Sequence, residues 1–217
     1  APGISSGQVI AEVERIAKET LPSDFSFDWG GASYQEKKSS GSSSYALILG
    51  ALMAFTSLST DIYLPAMPMM AAELQGNVEL TITGFLIGFS IAQLVWGPIS
   101  DQLGRRIPLF IGMVIYIIGS IGCALSTEIH HIVFWRVMQA VGACTGPMLA
   151  RAMIRDLFSR TRAAQMLSTL ILMMAIAPIA GPLIGGQMII FASWHLIFWL
   201  LAVIGLAMFI MLFWLPE

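Results

Sequence analysis

The sequence predicts an all-α membrane protein of six transmembrane helices, and three observations carry that expectation. The chain is 57% hydrophobic and only 11% charged, less than half the roughly 25% charge of a soluble domain. From Tyr45 onward it offers six apolar runs of about 20 residues, the length that crosses a hydrocarbon core of about 30 Å. Charge is also gathered rather than spread, since residues 1–44 hold ten of the 24 formal charges. The mean hydropathy of +0.79 agrees with lipid as the main solvent.

The runs place spans at about 45–68, 79–99, 107–126, 131–150, 163–190 and 196–215. Their connections set an orientation. Arg105 and Arg106 lie between the second and third spans, and Arg151, Arg155, Arg160 and Arg162 between the fourth and fifth. The other three connections hold Glu73, Glu79 and Glu128 but no Lys or Arg. Cations stay on the cytoplasmic side, so both basic loops are expected there. Lys37 and Lys38, ahead of the first span, agree, and both ends of the bundle then face the cytoplasm.

Small and polar residues recur at helical spacing within the spans. Gly50, Ala54, Ser57 and Asp61 form such a stripe in the first, and Gly84, Gly88 and Ala92 in the second. Gly112, Tyr116, Gly119 and Cys123 mark the third, and Gly142, Gly146 and Ala150 the fourth. Stripes of this kind let membrane helices approach closely where no hydrophobic drive exists between them.

Two ionisable residues fall inside spans: Asp61, toward the outer end of the first, and Arg136, in the outer half of the fourth. Charge at that depth costs about 2.5–3.5 kcal/mol on insertion scales, so it normally faces a partner or a cavity. Asp61 suits a proton carrier; the alternative is an interfacial helix-end residue, since Pro65 and Pro68 soon follow. Arg136 suits a tuning or anion-holding role, with Gln139 one turn on along the same face. Its alternative is a fixed ion pair or hydrogen bonds to carbonyls. His130, His131, His195, Cys123 and Cys144 fall into no ligand spacing. No metal, cofactor or catalytic residue is expected, and no basic patch suggests nucleic acid. The 14 Met read as packing between helices or against lipid.

The stretch WGPISDQLGRRIPLF, residues 96–110, sets an Asp and two Arg among glycines between two apolar runs. Gly97, Asp101, Gly104, Arg105 and Arg106 in it closely resemble the signature loop G-x-L-(A/S)-D-R-x-G-R-(R/K) of the major facilitator superfamily. Gln102 departs from the pattern, which has a basic residue there. RVMQAVGA, residues 136–143, is similar to the family's fourth-helix motif R-x-x-Q-G-x-G, with Ala140 for the first Gly. APIAGPLIGG, residues 177–186, resembles the antiporter motif G-x-x-x-G-P-x-x-G-G of the fifth helix. It supplies Pro178, Gly181, Pro182, Gly185 and Gly186, with Ala177 for the leading Gly. STDIYLPAMP, residues 59–68, looks like the first-helix end of Bcr/CflA-type drug exporters.

The resemblance covers residues 45–217 and implies half of a twelve-helix fold, a six-helix unit built as a 3+3 inverted repeat. It implies a proton-coupled exporter of drug-like small molecules in the bacterial inner membrane. Asp61, Arg136 and Gln139 would serve coupling and the substrate cavity. Asp101, Arg105 and Arg106 would latch the cytoplasmic side, and residues 178–186 would hinge and pack the fifth helix. The second half is expected to be absent from this chain, so a C-terminal six-helix half or a second copy is the expected partner. The rival reading is a membrane fragment without transport of its own.

Residues 1–44 read differently. Ser5 or Ser6 can cap a helix over residues 7–20, and FSFDW alternates like a short strand, making a short α/β extension. The stretch resembles a periplasmic porter segment of resistance–nodulation–division pumps, which suggests a chimeric junction near residues 38–45. The first 20 residues contain no apolar core of a signal peptide.

Overall fold

Six apolar helices account for nearly everything the computed structural model describes, which is residues 12, 13, 15, 16, 47–158 and 160–214. Within the stretch expected to form a helix over 7–20, the described residues Glu12, Val13, Arg15 and Ile16 are helical, with an exposed ion pair of 2.5 Å between Arg15 and Glu12. The rest of that helix and the FSFDW strand lie outside the described residues. The chain divides into two compact units, Ala1–Leu47 and Ile48–Glu217.

The spans are Leu47–Leu74, Glu79–Leu103, Arg106–Ala124, Ile129–Asp156, Ala163–Phe191 and His195–Trp214. The first runs past Pro68 because its prolines sit where helices tolerate them. Residues 62–63 form a turn, a 3₁₀ turn follows at Leu64–Ala66, and a new helix runs Met67–Leu74. Pro65 and Pro68 each fall in the opening positions of those runs, where a missing N–H costs nothing. Gln75 then ends the span with a left-handed φ of 48°. The fourth span is longer than its apolar run for a similar reason. A break at Cys144 joins Ile129–Ala143 to Thr145–Leu157, carrying the helix out into the basic loop. In the fifth span Pro178 and Pro182 lie inside a continuous helix.

The fourth span is the centre of the bundle. Its first helix packs against both the second and third spans, and the third packs on the sixth. The fifth leans on the first-span turn at Leu64–Ala66. Burial follows this order, with 61% of the fourth span's apolar window covered and only 17% of the fifth's.

Glycines set the closest approaches. A Cβ on Gly142 would collide with the Gly112 carbonyl and the Tyr116 backbone, and one on Gly119 with the backbone of Gln139. At the first–fifth seam, a Cβ on Gly185 would overlap the carbonyl of Ile62, while Gly181 lies against Asp61 and Gly50 against Leu170 and Met173. Gly97, by contrast, has open space where a Cβ would go. Overpacking a tight seam costs about 1–3 kcal/mol or more. Gly142→Ala and Gly185→Ala should therefore lower the melting temperature of detergent-purified protein, and Gly97→Ala should leave it unchanged. Equal melting of all three would mean that these seams yield freely.

Candidate functional site

The fourth span carries Arg136 and Gln139 one turn apart, and both are completely buried. Arg136 Nη1 donates to Gln139 Oε1 at 2.6 Å and reaches the Ser59 carbonyl at 3.5 Å. Gln139 Nε2 donates onward to Ser120 Oγ at 2.7 Å, and that hydroxyl donates to the Tyr116 carbonyl at 2.8 Å. Tyr116 OH closes the path by donating to Ser59 Oγ at 2.9 Å. Polar groups from the first, third and fourth spans thus form one buried circuit around a guanidinium.

Aromatic rings complete its surroundings. The Arg136 Cζ lies 4.1 Å from the ring centre of Tyr63, 4.5 Å from that of Phe85 and 5.7 Å from that of Phe198. Rings from the first, second and sixth spans therefore converge on a side chain of the fourth. A desolvated cation–π contact is worth about 2 kcal/mol, so the rings replace part of the lost hydration. Arg136 forms no ion pair among the described residues, and its Nε and Nη2 have no hydrogen-bond partner there. Of the two alternatives to a functional Arg136, a fixed ion pair does not occur among the described residues and the carbonyl contact does.

Asp61 does not join this circuit. Ser59 and Tyr63, on either side of it in sequence, both touch Arg136. Asp61 itself turns to the fifth span, where a Cβ on Gly181 would sit 3.2 Å from its own Cβ. It is half-buried in the seam that Gly50 also lines. The fold therefore separates Asp61 from Arg136 and Gln139.

The signature loop makes a compact charged cluster at one end of the bundle. Arg105 Nη1 donates to Asp101 Oδ1 at 2.6 Å and to Ser100 Oγ at 2.9 Å. Arg105 Nε donates to Asp156 Oδ2 at 3.1 Å, tying the second span's end to the fourth's. Burial alone would lower the Arg105 pKa, but hydrogen bonds and charge from Asp156 and Asp101 outweigh it and hold the pKa above its ordinary value. A raised pKa stabilises at every pH below the ordinary value and fails only in strong alkali, so Arg105 stays charged throughout the working range. Arg106 takes another course, its guanidinium 5.6 Å from the Phe110 ring centre. Gly104 turns the chain at φ 81°, ψ 169°, a region essentially reserved for glycine.

In the fifth-span motif, Gly181 and Gly185 face the first span, while Gly186 has open space beside it. Pro178 is exposed and Pro182 half-buried. At the opposite end from the charged loop, Trp194 Nε1 donates to Glu73 at 2.6 Å and joins the starts and ends of distant spans. No cluster of metal-ligating side chains occurs among the described residues.

Sequence reasoning missed the ring set and Asp156. Tyr63, Phe85 and Phe198 come from three spans, and no local pattern relates them. Asp156 had a signal, being the one acidic residue among the four arginines of its loop.

Comparison with known proteins agrees with this architecture. The family model described as Major Facilitator Superfamily matches residues 47–217. The uncharacterized MFS-type transporter YdgK of Bacillus subtilis is 39% identical over 165 residues, covering 74% of this chain and 41% of that protein. A bicyclomycin resistance protein homolog of Haemophilus influenzae is 32% identical over 180 residues, covering 80% of this chain and 44% of that protein. Multidrug resistance protein D of Escherichia coli is 31% identical over 175 residues, covering 79% and 44%. The chain thus spans less than half the length of these relatives. On the match over its six spans, the chain belongs to the major facilitator superfamily of membrane transporters.

Proposed function

We propose that this six-helix bundle works as one half of a proton-coupled secondary transporter that exports drug-like small molecules. The observation that carries the reading is Arg136, a wholly buried cation at membrane depth wired to Gln139, Ser120, Tyr116 and Ser59. Intramembrane charge of this kind marks substrate or ion pathways. The resistance names of the relatives supply the substrate class. Alternating access needs two bundles rocking about a shared site, so the partner is a second six-helix unit or another copy of this one.

Roles divide by position. Asp61 takes up and releases the proton at the first–fifth seam. Arg136 and Gln139 hold the polar centre of the substrate path. Arg105, Asp101 and Asp156 latch the charged end, and the Gly181–Gly185 face lets the first and fifth spans slide while packed. Arg106 belongs to the same loop and packs over Phe110. By the distribution of arginines the charged end is cytoplasmic, and the bacterial resistance relatives point to the inner membrane. Residues 1–44 are then cytoplasmic too, although their sequence resembles a periplasmic porter segment joined near residues 38–45.

Three measurements test this reading. Cysteines introduced in the Arg155 loop of intact cells should be silent to an impermeant maleimide; labelling from outside overturns the orientation. Drug efflux should appear when the chain is expressed with a complementary six-helix half, and Asp61→Asn should then abolish its dependence on the proton gradient. An amide keeps the shape of the carboxyl but takes up no proton. Normal coupling in that variant removes Asp61 from the mechanism. Exposed ion pairs are worth about 0–1 kcal/mol each, so Asp101→Asn should shift the balance of access states by at most about fivefold. Asp101→Asn with Asp156→Asn should shift it further. Unchanged transport in the double variant at equal expression would reduce the loop to a tight turn.

A further inference from the structure

The guanidinium of Arg136 is accounted for on every side but one. Its Nη1 corner is engaged by Gln139 Oε1 and the Ser59 carbonyl. The rings of Tyr63, Phe85 and Phe198 pack around it. What remains is Nε and Nη2, buried and without a hydrogen-bond partner among the described residues. These two are not an arbitrary pair. They form the side-on fork of the guanidinium, two parallel N–H donors at the spacing of the two oxygens of a carboxylate. Buried donors left without acceptors are rare and costly in native structures, so this fork calls for an acceptor, and a carboxylate matches its shape.

Two sources of a carboxylate are available, the protein's own or a ligand's. The buried polar residues contain no Asp or Glu among those described. Asp61, the one carboxyl within reach along the sequence, faces Gly181 of the fifth span instead. The ring walls favour a ligand with an apolar, planar body behind its acid group. We propose that the Nε/Nη2 edge of Arg136 is the subsite for an organic monocarboxylate, whose body lies against Tyr63, Phe85 and Phe198 when the spans part. The assignment rests on the transport reading above and narrows its substrate class to apolar acids.

The test uses the whole chain in lipid nanodiscs with radiolabelled 1-naphthoate as the probe. Saturable binding should be displaced by unlabelled naphthoate but not by equal excesses of 1-naphthalenemethanol or 1-naphthylmethylamine, which share the body and lack the acid. Arg136→Lys keeps the charge and removes the fork, and should weaken binding at least about tenfold, the worth of one charged hydrogen bond. If that variant fails to fold, the competition by the alcohol and amine still decides. With ¹⁵N-arginine protein and carboxyl-¹³C naphthoate, solid-state NMR should detect the labelled carboxyl in contact with a guanidinium. In a second sample with ¹³C-aspartate in the protein, an aspartate–guanidinium contact that disappears in both Asp61→Asn and Arg136→Lys would assign the fork to Asp61 and overturn the subsite. Equal displacement by the alcohol, or no saturable binding, would leave the fork to internal water and overturn it too. Drug efflux without naphthoate binding defeats this inference alone, and naphthoate binding without efflux defeats the transport reading alone.

Discussion

A buried guanidinium with no carboxylate beside it among the described residues organises this bundle. Placing Arg136 at membrane depth costs about 2.5–3.5 kcal/mol on insertion scales. A charged hydrogen bond to Gln139 returns about 1.5–3 kcal/mol, and desolvated ring contacts return about 2 kcal/mol. These returns offset the insertion cost but not that of the unpaired Nε and Nη2, and they draw on five spans. Ser59 and Tyr63 come from the first, Phe85 from the second, Ser120 from the third, Gln139 from the fourth and Phe198 from the sixth. Removing the first, second or sixth span would take a contact from the cation directly, and removing the third would free the amide of Gln139 that holds it.

The glycine seams make that convergence geometrically possible. Gly119 lets the third span come up to the backbone of Gln139, and the next residue, Ser120, is then in reach of its amide. Gly142 and Gly112 close the same seam two turns away, where Tyr116 turns its hydroxyl to Ser59. Close packing and polar satisfaction are therefore one arrangement. A side chain at Gly119 would widen the seam and draw Ser120 off Gln139, so a steric change would be felt as an electrostatic one at Arg136.

The first span divides the two charged features between its faces. Thr56, Ser59 and Tyr63 turn toward the third and fourth spans, where Thr56 Oγ1 donates to the Ala143 carbonyl. Gly50 and Asp61 turn toward the fifth. The turn at residues 62–63 lies between Asp61 and the proline-led 3₁₀ run. Asp61 and the Tyr63 ring beside Arg136 thus sit two residues apart on opposite faces of one turn.

The number of spans and the all-helical membrane architecture were legible in the sequence, because lipid permits only helices or closed barrels and 20-residue apolar runs declare the former. The Arg136–Gln139 pair was legible too, since three-residue spacing puts both on one helix face whatever surrounds them. So was the Asp101–Arg105 pair, spaced one turn apart. Tertiary structure alone decided the rest. Asp61 and Arg136 look like natural partners in one dimension, yet the phase of the first helix turns Asp61 to the fifth span while its neighbours at two residues on either side meet Arg136. The ring set around that arginine has no sequence signature, because Tyr63, Phe85 and Phe198 stand on different helices whose rotations only packing can fix. Spacing along a helix specifies which residues share a face; what that face meets is set by glycine seams and by the need to surround a buried charge.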